Sequence, residues 1–243
     1  MKKIAYQQMY ENELTHAWYL GTRQLMLSQI KNSINKKSKI LDAGCGTGGT
    51  IVYLRKNGYK NVFGIDSSKF AINYNKKRKI KNVSLASIDK IPFKNNSFDA
   101  VICMDVLYHK DVDPKSAVEE IFRVLKNGGI FYSQEPAYDW LKSGHDRIIE
   151  TKKRFKRKEL VDVISTSGLE NIKNSHFNTI LFLPIAISRF KNRIHERGDS
   201  GSDVDKLPAL LNLLMLFSLN LEAKILKFTN LPFGLSIVSL WRK

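Results

Sequence analysis

The residues richest in chemistry lie in one run, Ile40-Leu-Asp-Ala-Gly-Cys-Gly-Thr-Gly-Gly49. The run reads as a strand entering a tight glycine turn and then a helix. Gly44, Gly46 and Gly49 satisfy the G-x-G-x-x-G spacing of a dinucleotide site. Asp66 stands about twenty residues further on, where an acid would meet a ribose diol. Asp42 argues against a dinucleotide, because a carboxylate just ahead of the first glycine repels a pyrophosphate, which wants bare N–H groups at a helix N-terminus. The same carboxylate suits a ligand with a cationic amine. A nicotinamide dehydrogenase is therefore kept only as the fold-level alternative, and turn or helix capping is the plain structural alternative for Asp42 and Asp66.

A second group consists of titratable residues at the carboxyl ends of predicted strands, where ligands bind in open α/β sheets. His109, Glu135 and His145 are the candidate general bases, needed only if a proton must leave the reacting group. The competing roles are orientation of a loop for His109 and a surface position for His145. His176 and His195 are set aside as structural or exposed, and Asp99 as structural. Cys45 and Cys103 are too few for a disulfide framework and lack zinc-site clustering, so no metal is expected. Cys45 reads as a packing residue with no adjacent base to activate it.

Short apolar runs alternating with helix-period segments must position these residues. Strands are expected at Lys39–Asp42, Val62–Asp66, Val83–Ser87, Ala100–Met104 and Ile130–Glu135, with a sixth near Ile172–Phe177 and a last at Leu235–Trp241. Pro114 opens a helix with Ala117, Val118, Ile121, Phe122 and Leu125 on one face, and Asn127-Gly128-Gly129 is read as its stop. The fold class is thus α/β: a Rossmann-like seven-stranded sheet with an N-terminal helix and a helical insertion before the last strand. Residues 1–36 are read as a segment covering the ligand, 37–178 as the core with a lid at 137–158, 179–230 as a helical insertion, and 231–243 as the last core strand. The insertion holds two apolar segments, Ile180–Phe190 and Leu207–Phe228, separated by the polar stretch Arg197–Asp203. Leucines occur nearly all round the second segment, so it is expected to be buried.

With 243 residues, 43% of them hydrophobic, disorder is excluded as the dominant state. The 40 Lys+Arg against 23 Asp+Glu give a net charge of +17, which favours anionic partners, although a lysine-rich background would give the same balance. The basic runs Thr151–Lys158 and Lys76–Lys81 either attract an acidic acceptor or form solvated faces. No apolar stretch reaches the roughly 18 to 20 residues of a membrane span. The N-terminus lacks a secretory pattern, so a cytoplasmic protein is expected.

The run LDAGCGTGG, the strand end Val62-Phe-Gly-Ile-Asp66, Ile91-Pro-Phe93, Ser97–His109 and Leu125-Lys-Asn-Gly-Gly129 together resemble the class I S-adenosylmethionine-dependent methyltransferase superfamily. Glu13-Leu-Thr-His-Ala-Trp-Tyr19 with Arg23 resembles an E-x-x-H-W-W-Y/F signature found in part of that superfamily, with Ala17 at the first tryptophan position. The resemblance implies S-adenosylmethionine as cofactor. It implies cofactor contacts at Asp42, Gly44, Cys45, Gly46, Asp66, Ser67, Ser87, the N–H of Ile88, and Met104, with His16 and Trp18 closing over them. Ser87 replaces an acid that many relatives carry. Tyr108, Tyr138, Trp140 and Arg154 are the candidate acceptor contacts.

In-line transfer to an anionic or hydroxyl acceptor on a small molecule or peptide is expected, with oxygen or a carboxylate favoured. A nucleic-acid methyltransferase is the alternative, disfavoured because Met104-Asp-Val-Leu107 stands where a base-gripping Pro-Pro element would be. A methyltransferase acting on a lipid-linked substrate at a membrane surface is a further alternative. The state is read as monomer or homodimer.

Overall fold

The computed structural model describes residues 1–194 and 206–243; His195 and Arg197–Asp203 lie outside the described residues. Seven strands form one sheet: β1 (Ile40–Ala43), β2 (Val62–Asp66), β3 (Val83–Leu85), β4 (Phe98–Met104), β5 (Leu125–Pro136), β6 (Glu170–Phe177) and β7 (Ser236–Arg242). Their order is β3-β2-β1-β4-β5-β7-β6. The first five are mutually parallel, and β7 runs antiparallel to both neighbours.

The central strands are apolar on both faces because both are covered. Ile40, Ala100, Ile102, Ile130 and Tyr132 pack with residues of α2 (Ala17–Ile30), α3 (Gly49–Lys56) and α9 (Ala209–Ile225). Leu41, Val101, Cys103 and Phe131 pack on the other face with α5 (Pro114–Val124) and α7 (Arg157–Ser165). The chain leaves β1 toward β2 on one side, while β4 flanks β1 on the other. The crevice beyond the carboxyl ends of β1 and β4 is therefore the topological switch point where such sheets bind ligands.

Several local expectations are corrected. The N-terminal segment is two helices, α1 (Lys3–Asn12) and α2, parted at His16, whose Nδ1 accepts the Trp18 N–H at 3.2 Å as an N-cap. Asp113 caps α5 through the Ser116 N–H, but the helix ends at Val124 and Asn127-Gly-Gly129 belongs to β5. Phe98 pairs with Leu125 and Ala100 with Ile130, so Lys126–Gly129 form a bulge in place of a helix stop. After α4 (Lys69–Lys77) and these central strands, the lid region folds as a short turn at Asp139–Leu141 followed by α6 (Gly144–Ile149). The insertion between β6 and β7 comprises α8 (Phe182–Ile194) and α9, and α9 is not buried all round. Only Ser218, Leu219, Glu222 and Ala223 of α9 are buried, because a single face meets α2.

Candidate active site

The glycine turn is fixed to the end of β2 by two N–H donors, Gly44 and Cys45, that share the Ile65 carbonyl at 2.8 and 2.9 Å. Gly44 has φ +88°, and a Cβ there would lie 2.3 Å from a Val106 methyl, so only glycine fits this approach to the β4 side. Asp66 faces the turn from the end of β2. Its Oδ2 accepts the Gly46 N–H at 2.9 Å, and Oδ1 accepts the Ser68 N–H at 2.9 Å and the Tyr6 hydroxyl at 3.4 Å. Burial raises its pKa, while the backbone donors at Ser68 and Gly46 act against that rise. Its remaining lone pairs can still accept from a diol.

Glu13, in the turn between α1 and α2, ties the N-terminal helices to this loop. Its side chain is 3% exposed and pairs with Arg23 at 2.5 Å and Arg78 at 3.0 Å, and it accepts the Thr47 hydroxyl. A Cβ on Gly49 would lie 2.1 Å from Glu13 Oε2. The third glycine of the apparent dinucleotide fingerprint therefore admits the protein's own carboxylate to the first residue of α3. That is the helix end a pyrophosphate would need, so the dinucleotide reading fails on geometry. Arg78 accordingly belongs to the interior, not to a solvated Lys76–Lys81 face.

Asp42 lies behind the loop and does not line the ligand cavity. Burial pushes its carboxyl up to about 7; Arg23 opposes this, and Glu13 and Asp66 add to it. Among the described residues its Oδ2 has no hydrogen-bond partner.

One cavity of about 560 Å³ runs from the glycine turn outward. That lies within the roughly 300–1,000 Å³ typical of small-molecule sites. Of the expected cofactor contacts, Trp18, Gly44, Cys45, Gly46, Asp66, Ser67, Ser87, Ile88 and Met104 line it. Tyr108, His109, His145 and Arg154 line its continuation, which also reaches Leu181 and Ile185 at the α8 segment, Leu207 before α9, and Met215 of α9.

Five expected contacts do not line it: Asp42, His16, Glu135, Tyr138 and Trp140. His16 is used as the α2 cap. Glu135 is fully buried, its Oε1 accepting the Val106 and Leu107 N–H groups at 3.3 and 3.0 Å, so it braces the turn after β4 and is out of reach of an acceptor. Tyr138 is stacked on His176 with ring centroids 5.5 Å apart and bonded to it at 3.1 Å, while Trp140 is 52% exposed.

The chemistry of the outer part differs from expectation. Burial pushes His109 down to about 4, which leaves it neutral and weakly basic at pH 7. Its ring stacks on Tyr108 at 4.4 Å. Arg154 donates to both carboxylate oxygens of Asp146 at 2.9 and 2.8 Å, so its charge is matched inside the protein.

Asp105, unremarked in the sequence except as part of Met104–Leu107, is the prominent titratable group. It follows β4 directly with φ +57°, its N–H donates to the Gln134 carbonyl at 2.8 Å, and it lines the cavity. A non-glycine residue in the left-handed region at a cavity wall is the kind of strain that functional sites hold. Burial pushes its carboxyl up to about 7, with Arg154 acting in the opposite direction.

A methyltransferase-domain family matches residues 41–133, from β1 to β5. The segment from β1 to β5 thus matches a methyltransferase domain, in line with the resemblance to the class I S-adenosylmethionine-dependent superfamily. Among its curated relatives is cycloartenol-C-24-methyltransferase 1 of Oryza sativa subsp. japonica, 31% identical over 178 residues, or 63% of this chain. The match covers 50% of that relative, so the chain spans about half its length.

Among solved structures, a proposed sarcosine dimethylglycine methyltransferase of Galdieria sulphuraria superposes with TM-score 0.62 at 19% identity, covering 93% of this chain and 86% of that one. A geranyl diphosphate methyltransferase in complex with S-adenosylmethionine superposes with TM-score 0.59 at 15% identity, covering 91% of this chain and 84% of that one. These likenesses extend the shared methyltransferase fold beyond β5 to the insertion and β7.

The geranyl diphosphate methyltransferase holds S-adenosylmethionine, and the inner cavity of this chain has features that suit such a ligand. A glycine cradle that a Cβ would fill, an acid at the end of β2 and the aromatic Trp18 all face that space. Among the described residues no three His, Cys, Asp or Glu form a metal-binding group.

Proposed function

We propose that this chain transfers a methyl group to a small-molecule acceptor with a largely apolar body, held in the outer cavity between Asp105 and the α8–α9 segment. S-adenosylmethionine, when bound, supplies an electrophilic methyl group on a sulfonium. Asp66 and the glycine turn would hold it, with Ser87 and the Ile88 N–H beside its base. The observation that carries the proposal is one uninterrupted cavity, polar and glycine-lined at the β1–β2 end and lined by Leu181, Ile185, Leu207 and Met215 at the other. Holding the acceptor in line is the main contribution open to the protein, with effective molarities worth roughly 7 to 11 kcal/mol at best.

Asp105 is the group we assign to the acceptor atom. At pH 7 its ionised fraction can take a proton from a hydroxyl or amine, or offset positive charge that develops on an acceptor as the new bond forms. Tyr108 and His145 would shape the pocket around it. The expected preference for a carboxylate or other anionic acceptor loses support, since Arg154 is already matched by Asp146. The rice relative is named as a C-24-methyltransferase of cycloartenol, and methylation at carbon in that protein supports an apolar acceptor over an oxygen anion. Oxygen methylation remains the second reading, favoured by the presence of a base candidate at the cavity wall.

Two measurements test this. Calorimetry with S-adenosylmethionine and its demethylated product should give heat for both, and silence for both overturns the reading. Incubation of the full chain with methyl-labelled cofactor and a cell extract should move label into the organic phase. Label confined to the aqueous phase removes the apolar acceptor.

A further inference from the structure

Helix α9 turns three of its polar residues toward the protein. Asn212, Ser218 and Glu222 lie on the face turned to the protein. The Asn212 amide accepts the Ala17 N–H at 2.7 Å and donates to the Thr15 carbonyl at 3.1 Å, while Glu222 accepts the Thr179 and Ile180 N–H groups at 2.9 and 2.7 Å. Ser218 is buried and returns its hydroxyl to the Met215 carbonyl. The opposite side carries Leu210, Leu211, Leu213, Leu214, Phe217 and Leu221, each 42–68% exposed. On α8, Leu183, Ile187 and Phe190 are likewise 54–62% exposed. A helix facing water places its polar residues outward. Here they are used inward as caps and braces, and the outward face carries exposed large apolar side chains close together, a feature of interaction surfaces.

The charges around this face select what covers it. Among the described residues of 179–235 the one acidic side chain, Glu222, is buried, whereas Lys191, Lys206, Lys224 and Lys227 are exposed. A second copy would bring this face against itself with like-charged lysines on both sides, an arrangement that repels. An anionic bilayer offers hydrocarbon to the leucines and phenylalanines and negative headgroups to the lysines. The same two helical segments also line the cavity, through Leu181 and Ile185 on one side and Leu207 and Met215 on the other.

We propose that the outward faces of α8 and α9 form a docking surface for an anionic membrane, which sets the outer cavity beside the bilayer so that an amphiphilic acceptor enters from the lipid. The delivery of the acceptor rests on the function proposed above; the docking does not. No described helix is long and apolar enough to cross a membrane, so the contact is peripheral.

Flotation of the full chain with phosphatidylcholine vesicles, with and without phosphatidylglycerol, tests the surface. Co-flotation is expected with phosphatidylglycerol present, weaker without it, and reduced by salt. The double variant Leu213→Ser/Phe217→Ser, altered only at exposed positions, should lose more than about tenfold in partitioning. Its calorimetric affinity for S-adenosylmethionine should be unchanged. Lys224→Glu/Lys227→Glu should weaken binding to the anionic vesicles alone.

Absence of co-flotation, or co-flotation that the double variant leaves intact, overturns the proposal. So does a dimer in sedimentation velocity that the double variant dissociates and vesicles do not bind, which assigns the face to a second copy. Retained flotation with no heat from S-adenosylmethionine would instead remove the methyltransferase reading and leave the docking surface standing.

Discussion

The two ends of the cavity are built on opposite plans. At the glycine turn charged side chains are drawn into a closed arrangement around the loop: Glu13 pairs with Arg23 and Arg78, Asp66 holds Gly46 and Ser68, and Gly49 makes room for the Glu13 carboxylate. At the α8–α9 end the polar groups are spent on anchoring the helices, and apolar side chains are left facing outward. The first end suits a ligand with many fixed polar features, because its donors and acceptors are held in place by their own partners. The second presents apolar surface without directional bonds, which suits a variable hydrocarbon body and tolerates substitution. Asp105 sits where the two plans meet, held in a left-handed conformation by the turn after β4.

The largest effect should come from that junction. Asp105→Asn should lower the transfer rate by roughly 10²- to 10⁴-fold, the usual contribution of a positioned base. In the wild type the rate should rise with pH through about 7 as this carboxyl ionises, and the rise should vanish in the variant; a pH–rate profile measures both. The same shift has an opposite sign for stability. Asp42 and Asp105 hold protons in the folded state that the unfolded chain releases near 3.8, so their contribution is present below about pH 4 and is lost as pH climbs through about 7. Denaturation midpoints across that window measure the loss.

At the polar end, Glu13→Ala strands two buried guanidinium groups and should cost about 3–5 kcal/mol in a urea titration. A smaller loss would mean that the α1–α2 cap is held by its apolar contacts. Asp66→Ala should weaken calorimetric binding of S-adenosylmethionine by about 1.5–3 kcal/mol, the range for hydrogen bonds to a charged group. Unchanged affinity would move the cofactor away from β2.

The apolar end then splits within one helix. Leu219 is fully buried against Gly21 of α2, so Leu219→Ala should cost about 2–5 kcal/mol. Leu213→Ser, 63% exposed, should stay within about 0.5 kcal/mol in the absence of lipid. Equal losses for the two would mean that the outward face is covered in solution.

Much of this was legible without coordinates. Strand positions followed from apolar runs bounded by glycine and polar residues, and Pro114 marked the start of α5. The glycine turn with Asp66 located the inner cavity because strand, turn and helix are local features whose chemistry is contained in a few adjacent residues. Alternation of burial, turn propensity and helix capping all act over such short spans.

The rest needed tertiary contacts. Gly49 could be read as part of a phosphate loop until Glu13, far earlier in the chain, was found against it. His109 and Arg154 looked like a base and an anion site by type, but burial and Asp146 reset their charges. Asp105 carried no local mark, since its φ and its desolvation come from the packing around β4. In α9 the leucine pattern alone implied burial, and only the positions of Asn212 and Glu222 against α2 and the start of α8 decided which face turned outward. Sequence fixes intrinsic propensity and chemical type; the protonation, partners and exposure of each group depend on residues brought near by the fold, because electrostatic and packing energies follow distance in space and not along the chain.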